Sequence, residues 1–165
     1  MARKNYLYCC YFDDGNLYFI WFSDEKDGVC CEPDGKIAAF NDLESLRKYA
    51  EAQNILIQDE EAFCLNLDKI EESLKQSLFE VDSVDFLNAW NLFTDVSVSL
   101  RGNFDSERKA TEKIYDKLFR GNNLPAVTPD GEFYTPVWSR KELEIIREAL
   151  QKGFALFRGS LKIID

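Results

Sequence analysis

"NYLYCCYFDDGNLYFIWF", Asn5 to Phe22, consists of two aromatic-rich apolar runs bent once at an acidic turn. Asp14-Gly15 suits a two-residue hairpin loop, because both positions tolerate positive φ; a turn centred there pairs Cys10 with Phe19 and Cys9 with Ile20. Strand side chains alternate between faces. Tyr6, Tyr8, Cys10 and Phe12 therefore share one face, and Leu7, Cys9 and Tyr11 the other. Neither face is polar, so elements from later in the chain are expected to cover both.

Working outward, turn signals at Asp24–Gly28 and Pro33–Gly35 lead into Val29–Glu32 and Lys36–Phe40. The first forty residues thus read as an antiparallel meander of about four strands. The pattern then becomes helical. Asn41 with Glu44 resembles a capping box ahead of Leu43, Leu46, Tyr49 and Ala50, on a helix reaching about Gln53. Ile55-Leu56-Ile57 reads as a short buried strand, and Leu67, Ile70, Leu74 and Leu78 follow helical spacing. Phe86, Leu87, Trp90 and Phe93 open another helix after Ser83. Asp105 or Ser106 is the expected cap of a helix through Ile114 and Leu118, which Gly121 closes as its left-handed residue. Ser139 with Glu142 makes the clearest capping box, and the last helix runs over 139–158. Between these two helices, residues 121–138 carry three of the four prolines and form a long loop. Its Leu124, Val127, Phe133, Val137 and Trp138 are expected to anchor it to the core.

Strands first and helices after define a single α+β domain over 1–165, with an N-terminal antiparallel sheet and four to five helices packed on it. A chain of 165 residues buries a full core without a disulfide or a metal. No apolar stretch approaches the ~20 residues of a membrane span, and the start shows no signal-peptide pattern, so a cytoplasmic protein with no membrane partner is expected.

The five cysteines form no secreted disulfide framework. Adjacent strand residues face opposite ways, so neither Cys9-Cys10 nor Cys30-Cys31 chelates one ion. In a meander a whole strand separates the two pairs, roughly 10 Å, far beyond a zinc–sulfur bond. All five, Cys64 included, read as reduced packing residues, with no metal or other cofactor expected.

The chain has no His, which removes Ser-His-Asp and Cys-His nucleophile systems and the usual acid–base group at neutral pH. Nucleotide-binding glycine motifs, CxxC and GxSxG are missing too. No catalytic residues are assigned. The dense carboxylates sit in turns, where they stay solvated, and Asp24–Gly28 lacks the alternating oxygens of a calcium loop.

The net charge of −10 is uneven: residues 1–100 hold 20 acidic and 8 basic groups, and 101–165 hold 10 and 12. This disfavours direct contact with nucleic acid and favours a basic protein partner. Asp13, Asp14, Asp24, Glu25, Asp27, Asp59, Glu60 and Glu61 are the candidate partner-binding residues. Trp90, Asp95, Asn122 and Asn123, which mix aromatic and polar groups, form an alternative surface.

"FNDLESLRKYA" at 40–50, "FLNAWNLFTDVSVSL" at 86–100 and "IYDKLFRGNNLPAVTPDGEFYTPVWSRKELEIIREALQKGFALF" at 114–157 together resemble small bacterial immunity proteins. These are encoded beside polymorphic toxins, including those of contact-dependent growth inhibition, and the resemblance spans roughly residues 36–158. It implies a cytoplasmic protein that binds one cognate toxin C-terminal domain, commonly a nuclease acting on tRNA or DNA, and occludes its active site. Two other readings stay open: a small enzyme or ligand-binding domain with 121–138 as a lid, and an acidic nucleic-acid mimic.

Overall fold

The computed structural model describes residues 2–61, 63–102, 104 and 108–165. Strands β1 (Lys4–Phe12) and β2 (Gly15–Ser23) form the expected hairpin, followed by β3 (Gly28–Val29), β4 (Ile37–Phe40) and α1 (Leu43–Ala52). Then come β5 (Cys64–Asn66), α2 (Leu67–Ser73), α3 (Ser83–Leu100), α4 (Arg108–Gly121), α5 (Arg140–Ser160) and β6 (Leu161–Ile163). The fold is α+β, with an open mixed sheet in the order β5-β1-β2-β4-β6 and β3 also beside β2.

The hairpin turn lies one residue earlier than expected. Asp13 and Asp14 both take positive φ, 51° and 65°, and Cys10 pairs with Leu17 and Cys9 with Tyr18. Their backbone N–H groups donate to the Asp68 carboxylate at 2.8 and 2.9 Å, a tertiary contact that no local signal carries. Moving the turn by one residue shifts the pairing by two, so every side chain keeps its face.

Both sheet faces are covered. Cys10, Phe12 and Phe19 join Phe93, Ile146, Phe154 and Phe157 in the main core beneath α3 and α5. On the other side Ile20, Ala38 and Phe40 pack against Leu46 and Ala50 of α1. The antiparallel strands gain a parallel strand at each edge: β5 beside β1 and β6 beside β4. Neither three-residue strand was expected, because each is defined by a partner distant in sequence. Ile55–Ile57, expected as a strand, supplies one bridge, from Ile57 to Asn5.

Helix ends also differ. Asp42, not Asn41, caps α1, accepting from the Ser45 N–H, and α2 ends at Ser73, which leaves Leu78 outside it and 55% exposed. The Ser139–Glu142 capping box forms as expected. The expected cap at Asp105 or Ser106 lies outside the described residues. The left-handed residue after α4 is Asn123, with φ 51°, while Gly121 is needed for close approach. A Cβ on Gly121 would lie 2.8 Å from Pro136 Cγ and collide with Ser83 Oγ. Among the described residues, no helix is long and apolar enough to cross a membrane.

Candidate functional site

The three acidic groups are dispersed over the molecule. Asp13 and Asp14 sit at one end of the hairpin and Asp24, Glu25 and Asp27 at the other, eight strand steps or roughly 26 Å apart. Asp59, Glu60 and Glu61 are exposed, between the Ile57 bridge to Asn5 and strand β5. Two groups are already neutralised in part. Arg158 reaches Asp13 at 3.0 Å and Glu71 at 2.8 Å, and its guanidinium lies over the Phe12 ring. Arg3 reaches Asp24 at 3.4 Å, and the Glu25 N–H is the main cause that holds the Asp24 carboxyl below its ordinary value.

Asp13, Asp68 and Glu71 bring carboxylate oxygens within 4.8 Å of one another, a grouping of metal-ligand type. Asp68 is engaged by the two turn amides, and Arg158 supplies the positive charge between the other two. The site is therefore a structural clamp between the hairpin turn, α2 and the end of α5.

The alternative surface does not exist as one. Trp90 is 2% exposed, edge-on to Phe104 in the main core. Asp95, on the same helix, accepts from Trp21 Nε1 at 2.8 Å. Burial pushes its carboxyl up; the Trp21 hydrogen bond opposes this and the Asp27 charge adds to it. Asn122 and Asn123 are polar fasteners. Asn122 Nδ2 donates to the carbonyls of Ser83 and Leu118, and Asn123 both accepts from the Tyr134 N–H at 2.7 Å and donates to the Tyr134 carbonyl at 2.9 Å.

These fasteners reverse the expected anchoring of the 121–138 loop. Polar contacts hold it: the Asn123–Tyr134 pair, Arg120 stacked 4.6 Å from the Tyr134 ring, and Lys117 Nζ, which donates to the Val137 carbonyl and to Glu142 at 3.0 Å. The apolar side chains point outward instead: Val137 is 83% exposed, Phe133 81%, Val127 59% and Leu124 44%, and of the expected anchors Trp138 alone is half-buried.

A second pinned segment, not singled out by its sequence, adjoins the loop. Arg147 of α5 donates to the carbonyls of Gln76 and Ser77, which holds the stretch that exposes Leu78 and leads to the equally exposed Val84. Phe133, Val84 and Pro136 line a cleft of about 590 Å³, and Leu78 and Asp85 line a neighbouring hollow of about 650 Å³. Glu80, Val81 and Asp82 border both. The Asp85 carboxyl is raised by burial and then by the Asp82 charge, with Lys69 opposing. The result is a shelf that carries the exposed Leu78, Val84 and Phe133 beside Glu80, Asp82 and Asp85, on backbone pinned by Arg147 and Asn123.

No model of a protein family matches the chain, and no curated protein matches it in sequence. In fold it belongs to the α+β proteins with helices on an open mixed sheet. It is similar to a solved structure, the SatS C-terminal domain in complex with bromine, with a TM-score of 0.55 and 12% identity over 97% of this chain and 94% of that one.

Proposed function

We propose that this chain is a protein-binding inhibitor of the immunity type, which holds a cognate basic toxin domain on the shelf built from residues 78–84 and 121–138. The observation that carries the reading is the combination of large exposed apolar side chains with backbone that is already pinned. Contiguous exposed apolar groups on one face are characteristic of interaction sites. Segments ordered before binding lose little conformational entropy on association. Carboxylates beside the apolar groups suit a partner carrying lysine and arginine, such as a nuclease with a basic substrate groove.

The dispersed acidic turns then take a supporting role. Asp13 pairs with Arg158 near the far end of α5, and the Asp24–Asp27 turn leads to Val29, which is hydrogen-bonded to Ser99 near the far end of α3. These groups lie away from the shelf, and their charge bears on encounter more than on residence. A chain with no His and a net charge of −10 fits an inhibitor that works by occupancy. The neighbouring hollow is bordered by Lys69, Gln76, Glu80 and Asp82 as much as by apolar groups, which favours a surface over a lid-covered reaction chamber.

Hydrogen exchange of the protein with and without the toxin domain encoded beside its gene tests this reading. Protection is expected in 78–84 and 121–138. Protection confined to 13–14, 24–27 and 59–61 would instead place the interface on the acidic turns.

A further inference from the structure

We propose that Cys9 and Cys64 are a covalent modification site, where a reversible disulfide fastens the edge strand β5 to β1. The two residues are direct partners in the parallel ladder, and their Sγ atoms lie 2.6 Å apart. Paired residues on neighbouring strands stand ~4.8 Å apart, inside the ~4.4–6.8 Å Cα window of disulfides, so the bond forms by side-chain adjustment with no backbone shift. The other thiols are placed differently. Cys10 faces the main core, and Cys30 and Cys31 follow β3, with β2 between them and β1.

The pair is asymmetric in a way that suits stepwise exchange. Cys64 is exposed, whereas Cys9 is 8% exposed and its thiol is pushed up to about 12 by burial and then by the Cys64 contact. Cys64 is therefore the sulfur that meets an oxidised low-molecular-weight disulfide. Its thiolate attacks one sulfur of that compound, which forms a mixed disulfide and releases one small thiol. Cys9, losing its proton to solvent, then attacks the Cys64 sulfur and expels the second small thiol. Two electrons pass from the protein sulfurs to the small disulfide, and a reduced thiol pool reverses both steps.

The consequence is local. Strand β5 has three residues; Leu65 at its centre is buried in the core, whereas Cys64 is its exposed first residue, reached from the exposed 59–61 stretch, so the bond would fasten the open end of the strand. A bond between residues 9 and 64 closes a long loop, and such loops gain most from closure in the chain-entropy account.

The test uses the full chain incubated with oxidised glutathione, digested with trypsin without reduction and analysed by mass spectrometry. A linked pair of peptides 5–26 and 49–69, with fragmentation placing the bond on Cys9, is expected. The oxidised sample should melt roughly 5–12 °C above the reduced one. Cys64→Ser, a change at an exposed position, should abolish both the linked pair and the shift while leaving the reduced melting point unchanged. A persistent glutathione adduct on Cys64 with no linked pair, a bond to any other cysteine, or a linked pair with no rise in melting temperature would each overturn the proposal.

Discussion

Asp95 shows how one residue in a helix can mislead a reading of its surface. Beside Trp90 and Asn91 it looks like part of a polar-aromatic binding face, yet it exists to satisfy an indole N–H from β2, as Asn91 satisfies the Tyr115 hydroxyl from α4. The charge adds nothing to that task. Asp95→Asn keeps an acceptor and removes the burial of a carboxylate, so at pH 7 its stability should lie within about 0.5 kcal/mol of wild type or above it. Asp95→Ala leaves the Trp21 N–H unpaired and should cost about 1–3 kcal/mol. Because the folded carboxyl is raised, wild type gains relative to Asp95→Asn as pH falls through that folded value. Glu142 has the opposite sign. Burial raises it, but the Ser139 N–H and Lys117 outweigh burial and hold it low. Its contribution is present above the ordinary glutamate value and is lost as pH falls through the folded one, so the gap between wild type and Glu142→Gln should close in acid. Urea melts across pH check both signs; an Asp95→Asn loss beyond about 2 kcal/mol would show that the charge itself is required.

At the scale of elements, legibility followed how local each signal is. The hairpin, the α5 capping box and the apolar stripes of α1 and α5 depend on neighbours in sequence, and all were readable. The Asp13-Asp14 turn was not, because its left-handed pair is held by Asp68 from α2. Strands β5 and β6 are three residues each and exist by parallel pairing to β1 and β4, which no periodicity reveals. The 121–138 loop failed for another reason. Apolar composition does not by itself imply burial, because the rule runs one way: cores are apolar, whereas apolar residues are not all core. Asn123 carries the anchoring instead. Asn123→Ala removes both bonds to Tyr134, so limited proteolysis within 124–133 should speed up at least several-fold with global stability little changed. An unchanged cleavage rate would mean that the Arg120 and Lys117 contacts suffice alone.

For the whole molecule, the architecture divides the work. The two-faced sheet and its helices form a core that needs no staple. Arg147, Lys117 and the two asparagines then fix a shelf at the end where α3 and α5 begin and α4 ends. The acidic bias was legible as charge, but its arrangement was not, since composition says nothing of which turns share an end of a hairpin. The central claim is that the shelf, and not the acidic turns, holds the partner. Calorimetric titration of the cognate toxin domain into wild type and into Phe133→Ala/Val137→Ala tests it most directly. Both side chains are more than four-fifths exposed, so folding should be unaffected and the variant's melting point unchanged. Truncating these two exposed apolar side chains should weaken binding by about 30- to 1,000-fold, at roughly 1–2 kcal/mol each, with little dependence on salt. Wild-type affinity in the double variant would contradict the account.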